Sequence, residues 1–425
     1  MATPRVLVAH MGARHQYALP AAFADAGMLE AFYTDLCSGV GLGKIADFAS
    51  GLPIPNVIKA PLTRLSNRKP PANVLAKTRT DDWPALLYEY EVRKGIPPHQ
   101  AREILIDYSV GAYNRMLDWG LGDATHFFSV LGFGGPLAEK ANAAGIPVIT
   151  DVIIALSTRR IAYEEFEAYP EWGPRPADGP YSEIKGFNPD ENMLATTDIF
   201  VCPSEFVRDD LTSTWGIAKE RTRLVPYALR SDWFVLESQT IPGRILFVGS
   251  AERRKGIHYL AFAAQEMAGK VDFRIAGNVA KEVLEQPAAN SLNFLGRVPR
   301  ASVKEEFVSA DIFVLPTLAE GSATVVYEAM AAGLPVITTK AAGSLVRHEL
   351  DGLIIPERDT NALVSAIERI TSDRELRDRM GQSAREQARQ FNWESYSKSL
   401  RQIVTDTPSP IENKRSYRSP LKSGF

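Results

Sequence analysis

Residues 319–338 read AEGSATVVYEAMAAGLPVIT, and the reading of this string decides the fold. Just before it, residues 311–316 (DIFVLP) form a short apolar run with polar flanks, as expected of a strand buried on both faces. Glu320 then falls on the turn leaving that strand. Ala323 and Thr324 open a helix that passes through Tyr327, Glu328 and Met330 to Gly333, where a left-handed residue can stop it, and Leu334 and Pro335 lead into another strand. Glu328 therefore occupies the first turns of the helix. Gly321, Ser322 and Ala323 offer backbone N–H groups with little side-chain bulk at the positive end of a helix dipole, where a diphosphate is favoured. Two carboxylates beside an anion site suit a sugar nucleotide, one accepting from hexose hydroxyls and the other from the paired hydroxyls of a ribose. Glutamates near helix N-termini are also common because the dipole favours them, so either one alone has a purely structural reading.

Outward from this string, apolar runs alternate with helical patterns, the signature of parallel α/β architecture. One series lies at 5–9 (RVLVA), 124–129 (ATHFFS), 147–151 (PVITD) and 199–203 (IFVCP). A second begins at 244–249 (RILFVG) and continues through 271–277 (VDFRIAG), 292–295 and 311–316. Polar residues, Pro and Gly at 226–243 separate the two series, as a linker does. A helical stretch at 88–121 is broken by GIPP at 95–98. Residues 169–189, rich in Pro and Gly, read either as a mobile acceptor-side loop or as a simple insertion. The last helix, 373–405, contains FNWE at 391–394, and the tail beyond 407 is proline-rich and basic, a composition that favours disorder.

At 425 residues the chain suits two domains of about 200 residues each. Its hydrophobic content of 45% and charged content of 23% are those of a globular protein, and a net charge of -3 argues against a general nucleic-acid binder. Cys37 and Cys202 form no CxxC pair, which points to a reducing cytoplasm. The start of the chain has no basic leader, and no apolar stretch reaches the roughly 18 residues needed to cross a bilayer. Any membrane contact is then peripheral, at the inner face. Between 48 and 80 the only charged residues are basic, among them Arg64, Arg68, Lys69 and Lys77; this stretch either meets anionic lipid, binds an anionic acceptor or is an ordinary basic face. Two phosphate motifs fail: SGVGLGKI at 38–45 has the wrong spacing and no Ser or Thr after Lys44, and LGFGG at 131–135 is no dinucleotide fingerprint.

Taken whole, 319–338 resembles the glutamate-x7-glutamate signature of the retaining glycosyltransferases grouped as family 4. The resemblance covers 246–339 and the last helix, and fades before residue 148. It implies the GT-B fold: two facing Rossmann-like α/β domains with parallel sheets, and a C-terminal helix that breaks near Asn392 and Trp393 and crosses back to the N-terminal domain. The domains expected are 1–232, acceptor-binding, with 393–410 returning to it; 233–392, donor-binding; and a flexible tail at 411–425. In the loop GSAERRKG at 249–256, Gly249, Lys255 and Gly256 match the family's diphosphate-holding pattern, while Ser250 stands where an arginine is expected and Arg253 or Arg254 takes its place. Cations there stabilise the charge that develops on a departing nucleoside diphosphate. Arg297 and Val298 are expected to meet the nucleobase, and the loop at 341–344 to close on the donor. Glu320, Gly321, Ser322, Ala323, Thr324 and Glu328 complete the donor side.

On the acceptor side, His10, Gly12 and Arg14 follow the first strand. Asp151 stands where the family often has a histidine, and either orients an acceptor hydroxyl or caps the next helix. Ser204 reads as a helix cap and Glu191 as a solvated residue. Asp81-Asp82 and Asp209-Asp210 lack the spacing of a metal-binding DxD motif, so neither metal nor cofactor is expected. The resemblance implies metal-independent, retaining, front-face transfer of a sugar from a nucleoside-diphosphate sugar to a glycan, lipid-linked or small-molecule acceptor, with Glu320, Lys255, Arg254 and Asp151 at the reacting centre. The alternatives are an inactive nucleotide-sugar binder or a sugar-nucleotide epimerase of the same fold.

Overall fold

The computed structural model describes all residues except 1–2, 54, 56–58, 60–61, 64, 94–97, 177–188 and 412–425. Arg64, the Gly95 break, much of the 169–189 excursion and most of the tail lie outside the described residues.

Thirteen strands among the described residues form two parallel sheets. The first runs in the order β3-β2-β1-β4-β5-β6-β7. Its strands are β1 (Val6–Ala9), β2 (Leu29–Thr34), β3 (Thr78–Thr80), β4 (His126–Val130), β5 (Val148–Asp151), β6 (Ile199–Cys202) and β7 (Thr222–Leu224). The second, β10-β9-β8-β11-β12-β13, contains β8 (Arg244–Val248), β9 (Asp272–Ala276), β10 (Asn293–Gly296), β11 (Ile312–Leu315), β12 (Val336–Thr339) and β13 (Gly352–Ile355). The inner strands β1, β4, β5, β6, β11 and β12 are buried along their whole length, which is why β1, β6 and β11 appear in the sequence as unbroken apolar runs and the others as apolar runs with a few small or hydrogen-bonded polar residues. Strand order reverses between β1 and β4 and again between β8 and β11, and ligands of open parallel sheets bind beyond the carboxyl ends of the strands at such points.

The end of the chain ties the two sheets together. Helix Arg374–Ala388 packs on helix Thr324–Ala331 and is pinned by Arg374 and Arg377, whose guanidinium groups lie 2.7 and 3.1 Å from the buried Asp311. The helix stops, Asn392 caps a new one by accepting from the Ser395 N–H, and Trp393–Thr405 packs on helix Ala18–Ala24 of the first sheet. Thr407 then meets His126 Nε2 at 2.9 Å through its carbonyl.

A second bridge runs the other way. Helix Thr158–Ala168, which follows β5, packs against the turn Arg253–Lys255, and its Glu165 is buried between His258 (2.7 Å), the Tyr259 hydroxyl (2.6 Å) and Arg358 (2.8 Å). Tyr169 and Trp172 continue the contact by packing on His258 and Phe262. The described part of the 169–189 excursion is therefore seated on the half that carries the second sheet, against His258 and Phe262.

Candidate active site

The switch point of the second sheet brings together the loop after β8 and the loop after β11. After β8, Gly249 leads to a single tight turn, Arg253–Lys255, which ends at Gly256 with φ 72°. A Cβ built on Gly256 would overlap the Pro316 carbonyl, so glycine lets this turn seat against the exit of β11. The Arg254 carbonyl then accepts from the Leu318 N–H (2.8 Å) and the Thr317 hydroxyl (3.1 Å). Locked in this way, the turn aims two cations at one carboxylate: Arg254 Nη1 lies 2.9 Å and Lys255 Nζ 2.6 Å from Glu320 Oε1. Arg254 also donates to the Ala319 carbonyl (2.8 Å) and to Glu252 (2.6 Å). Burial acts to lower the pKa of Arg254, but the charges of Glu320 and Glu252 outweigh it and hold the guanidinium above its ordinary value.

The structure separates the two arginines that compete for the Ser250 role. Arg253 turns away and is buried, donating to the carbonyls of Tyr169 (3.0 Å), Pro170 (3.2 Å), Gly173 (2.9 Å) and Pro174. Arg254 is the one beside Lys255 and Glu320. Ser250 itself is exposed.

The helix expected after Glu320 spans Thr324–Ala331. Its approach differs from the expectation in one respect. Ala323 N–H donates to the Ala342 carbonyl (3.0 Å), so it is not an anion donor in this arrangement. The cause is the loop at 341–343, which folds onto the helix start, where Ser322 Oγ also donates to the Gly343 carbonyl (2.8 Å) and meets the Tyr327 hydroxyl (2.7 Å). Among the described residues, none accepts from the N–H groups of Thr324 and Val325, which remain as the helix-end donors. Glu328 is partly buried on the same helix. Arg297, exposed, and Val298, partly buried, follow β10 at the carboxyl edge of the same sheet, with β9 between them and β8.

On the facing sheet, Asp151 ends β5, is 6% exposed, and has one carboxylate oxygen with no hydrogen-bond partner. Burial raises its pKa to about 7, with the Arg14 guanidinium acting in the opposite sense. The next helix starts at Thr158 after Ser157, so the capping role for Asp151 falls away. His10 is also buried: its ring packs 4.7 Å from Phe32 and 6.2 Å from Tyr17, and burial pushes its pKa down to about 3. A neutral ring enclosed in this way does not offer the polar face that an acceptor loop needs. Gly12 N–H donates to Asp35 (2.8 Å), which in turn pairs with Arg68 (3.2 Å). Arg14 is exposed and opens a turn in which His15, Gln16 and Tyr17 have φ of 43°, 56° and 63°. Three consecutive left-handed non-glycine residues store strain beside the Asp151 end of the sheet.

The two halves of the site touch at Gly321. A Cβ there would overlap the Ile153 carbonyl, two residues beyond Asp151, and Ser204 donates its hydroxyl to the Gly321 carbonyl while accepting from Val207 N–H as a helix cap. The turn that carries Glu320 is thus seated against the loop that follows Asp151. Tyr227 and Tyr396 complete the junction; both are buried, and burial together with the charge of Asp151 holds their hydroxyls well above the ordinary tyrosine range. Sequence reasoning missed both, since a lone tyrosine in a linker or a late helix carries no local signal. A cavity of about 1010 Å³ opens between the turn at His15, the segment 227–234 and the start of the last helix; Glu320 and Lys255 do not line it, and it lies on the hinge side. Among the described residues no group of three or more His, Cys, Asp or Glu is placed to hold a metal ion; Asp82 accepts from Leu42 N–H and Asp210 from Ser157.

Two parallel six- and seven-stranded sheets joined by a returning C-terminal helix define a GT-B fold. The chain is similar along almost its whole length to solved structures of that architecture. They include Anabaena Alr3699/HepE in complex with UDP and glucose (TM-score 0.58, 13% identity, 95% of this chain and 100% of that one). Another is sucrose-phosphate synthase from Thermosynechococcus elongatus (TM-score 0.62, 17% identity, 95% and 98%). More particularly, residues 242–373, which contain Lys255, Glu320 and Glu328, match the family model described as Glycosyl transferases group 1. Similar curated proteins include a D-inositol 3-phosphate glycosyltransferase of Corynebacterium urealyticum, 27% identical over 42% of this chain and 46% of its own length. The Arabidopsis thaliana sulfoquinovosyl transferase SQD2 is 25% identical over 48% of this chain and 44% of its own length. The chain thus spans about half the length of the curated relatives it matches.

Proposed function

We propose that this protein is a retaining glycosyltransferase of family 4, which moves a sugar from a nucleoside-diphosphate sugar to an acceptor hydroxyl without a metal ion. The observation that carries the reading is the convergence of Arg254 and Lys255 on Glu320 at the β8/β11 switch point, directly against the Asp151 loop of the other sheet. In the reaction the acceptor oxygen bonds to the anomeric carbon as the carbon–oxygen bond to the diphosphate breaks. The nucleoside diphosphate leaves with the bonding electron pair, and the hydroxyl proton passes to its departing oxygen on the same face of the sugar. Arg254 and Lys255 stabilise the charge that accumulates there, which is the role a metal fills in other glycosyltransferases. Thr324 and Val325 N–H groups add the field of a helix end. Glu320 and Glu328 accept from donor hydroxyls, and Asp151 orients the acceptor. The match to the group 1 family model over the donor half supports the sugar-nucleotide assignment. The unpaired, buried Cys37 and Cys202 support a cytoplasmic setting.

A panel of nucleotide sugars screened by thermal shift tests the donor, because a ligand that binds the native state raises its melting temperature. Lys255→Ala should abolish that shift and lower nucleoside-diphosphate release by on the order of a hundredfold to a thousandfold. Normal turnover in a folded Lys255→Ala protein would refute the assignment. Donor hydrolysis without added acceptor separates a transferase from an inert binder.

A further inference from the structure

Of the three basic side chains on the turn after β8, Arg254 and Lys255 reach Glu320 and Arg253 points away from it. The geometry of the turn links them. In a 3₁₀ turn, with three residues per turn, successive side chains leave the axis about 120° apart, so fixing one sets the direction of the next two. Arg253 is the one most firmly fixed. Its buried guanidinium donates through Nη1 to the carbonyls of Tyr169 (3.0 Å), Pro170 (3.2 Å) and Gly173 (2.9 Å) and through Nη2 to that of Pro174. Its Cζ also lies 4.9 Å from the centre of the Phe166 ring.

All four carbonyls belong to the short segment 169–174, which leaves helix Thr158–Ala168 and lies in the chain between β5 and β6. Other contacts hold that segment in place. Tyr169 and Trp172 pack on His258 and Phe262, the Glu171 carbonyl accepts from the Gln286 side chain (2.9 Å), and Glu165, one helical turn earlier, is bonded to His258, Tyr259 and Arg358. Arg253 thus grips a seat that does not depend on it. Main-chain bonds hold the loop at its two ends, from Ala251 N–H to the Asn278 carbonyl (2.7 Å) and from Leu318 N–H to the Arg254 carbonyl (2.8 Å). Among the side chains of the turn, Arg253 is the one that ties it to residues following the first sheet.

We propose that Arg253 is a positioning residue for the diphosphate-binding cations: its grip on 169–174 sets the rotation of the turn, and with it the aim of Arg254 and Lys255. This role rests on the transferase reading and deepens it, because the phosphate site is then built by both halves of the chain. Lysine is a poor substitute here. A planar fork presents several donors at once to carbonyls spread over six residues, whereas an ammonium is a single point on a flexible stem.

Arg253→Ala and Arg253→Lys, made in the full-length chain and assayed well below the melting temperature of each variant, test the role. The readouts are turnover of the nucleotide sugar that gives wild type its largest thermal shift, and calorimetric binding of inorganic pyrophosphate, a probe that needs neither base nor sugar. Alanine should lower kcat by at least about tenfold and weaken pyrophosphate binding while leaving the acceptor KM unchanged, and lysine should restore only part of the kcat. In a Lys255→Ala background the same alanine substitution should cost about threefold or less, since a residue that acts through the cations has less left to aim. An equal loss in both backgrounds would make Arg253 a structural anchor only and overturn the proposal, as would full kcat in a folded alanine variant. If alanine prevents folding, wild-type kcat and pyrophosphate affinity in the folded lysine variant refute it instead. Each of these results leaves the transferase reading standing. Wild type that binds no pyrophosphate and releases no nucleoside diphosphate from any nucleotide sugar overturns that reading and the role of Arg253 together.

Discussion

Asp151→Asn isolates the energetic cost of the buried carboxylate. Burial lifts the Asp151 pKa from 3.8 to about 7. That is just over three pH units, and at ~1.4 kcal/mol per unit, ionising this group inside the fold costs about 4 kcal/mol relative to the unfolded chain. A folded pKa above the unfolded one means that the native state keeps a proton the unfolded chain has already released. Stability from this residue therefore falls as pH rises from about 4 to about 7, and levels off above that. Asparagine has nearly the same shape and no such proton, so the variant lacks this slope. Thermal melts of both proteins, at pH near 4 and near 8, should give similar stabilities in acid and a variant more stable by several degrees in base. In the proposed reaction, wild-type turnover should rise through about pH 7 as the carboxylate ionises to orient the acceptor, and the variant should be slow and flat. A stability difference that does not change with pH, or one that grows in favour of wild type as pH rises, would show that Asp151 is ionised and paired, and the argument from burial would be wrong.

Two further outcomes follow from contacts at the domain junction. Gly321→Ala places a methyl group on the Ile153 carbonyl, so the halves must separate locally; turnover should fall at least tenfold while each half stays folded, and a crystal or scattering comparison that finds unchanged domain packing with full activity refutes the contact. Glu165→Ala leaves His258, Tyr259 and Arg358 without their shared partner, an expected loss of about 3–5 kcal/mol measured by denaturant unfolding, whereas a loss below ~1 kcal/mol would place the group in water.

How far the sequence could be read depended on whether the information was local. Strands β1, β5, β6, β8 and β11 are legible because a strand covered on both faces is mostly apolar, and their runs say so, with polar residues confined to the ends of β5 and β8. The edge strands β3 (TRT) and β7 (TRL) are short, polar and partly exposed, and pair on one side only, so no periodicity marks them. β2 (LEAFYT) lies inside the sheet, yet Glu30 and Ala31 remain partly accessible and break its pattern. The meeting of Lys255 and Glu320 was legible because each sits in a short string whose glycines declare a tight approach. Nothing local relates Asp151 to Tyr227 and Tyr396, which meet only because the linker and the returning helix cross the same junction. Arg253 and Arg254, adjacent in the chain, are told apart by direction alone, which only the fold supplies.

The ion pairs at Glu320 also constrain how a donor enters. In this structure one carboxylate oxygen holds Arg254 and Lys255 together, with all three side chains mostly withdrawn from water. On the proposed reading that oxygen cannot serve the cations and a sugar hydroxyl at once with full strength. A diphosphate arriving at the turn offers the cations more negative charge than the carboxylate does, so it takes over as their partner, and Glu320 is released to accept from the sugar. The exchange is close to balanced because one anion replaces another in a site already desolvated, and neither cation is left buried and unpaired at any stage. Glu320 thus keeps Arg254 and Lys255 aimed at the phosphate position before the phosphate arrives, and the charge-stabilising groups need little reorganisation when the bond breaks.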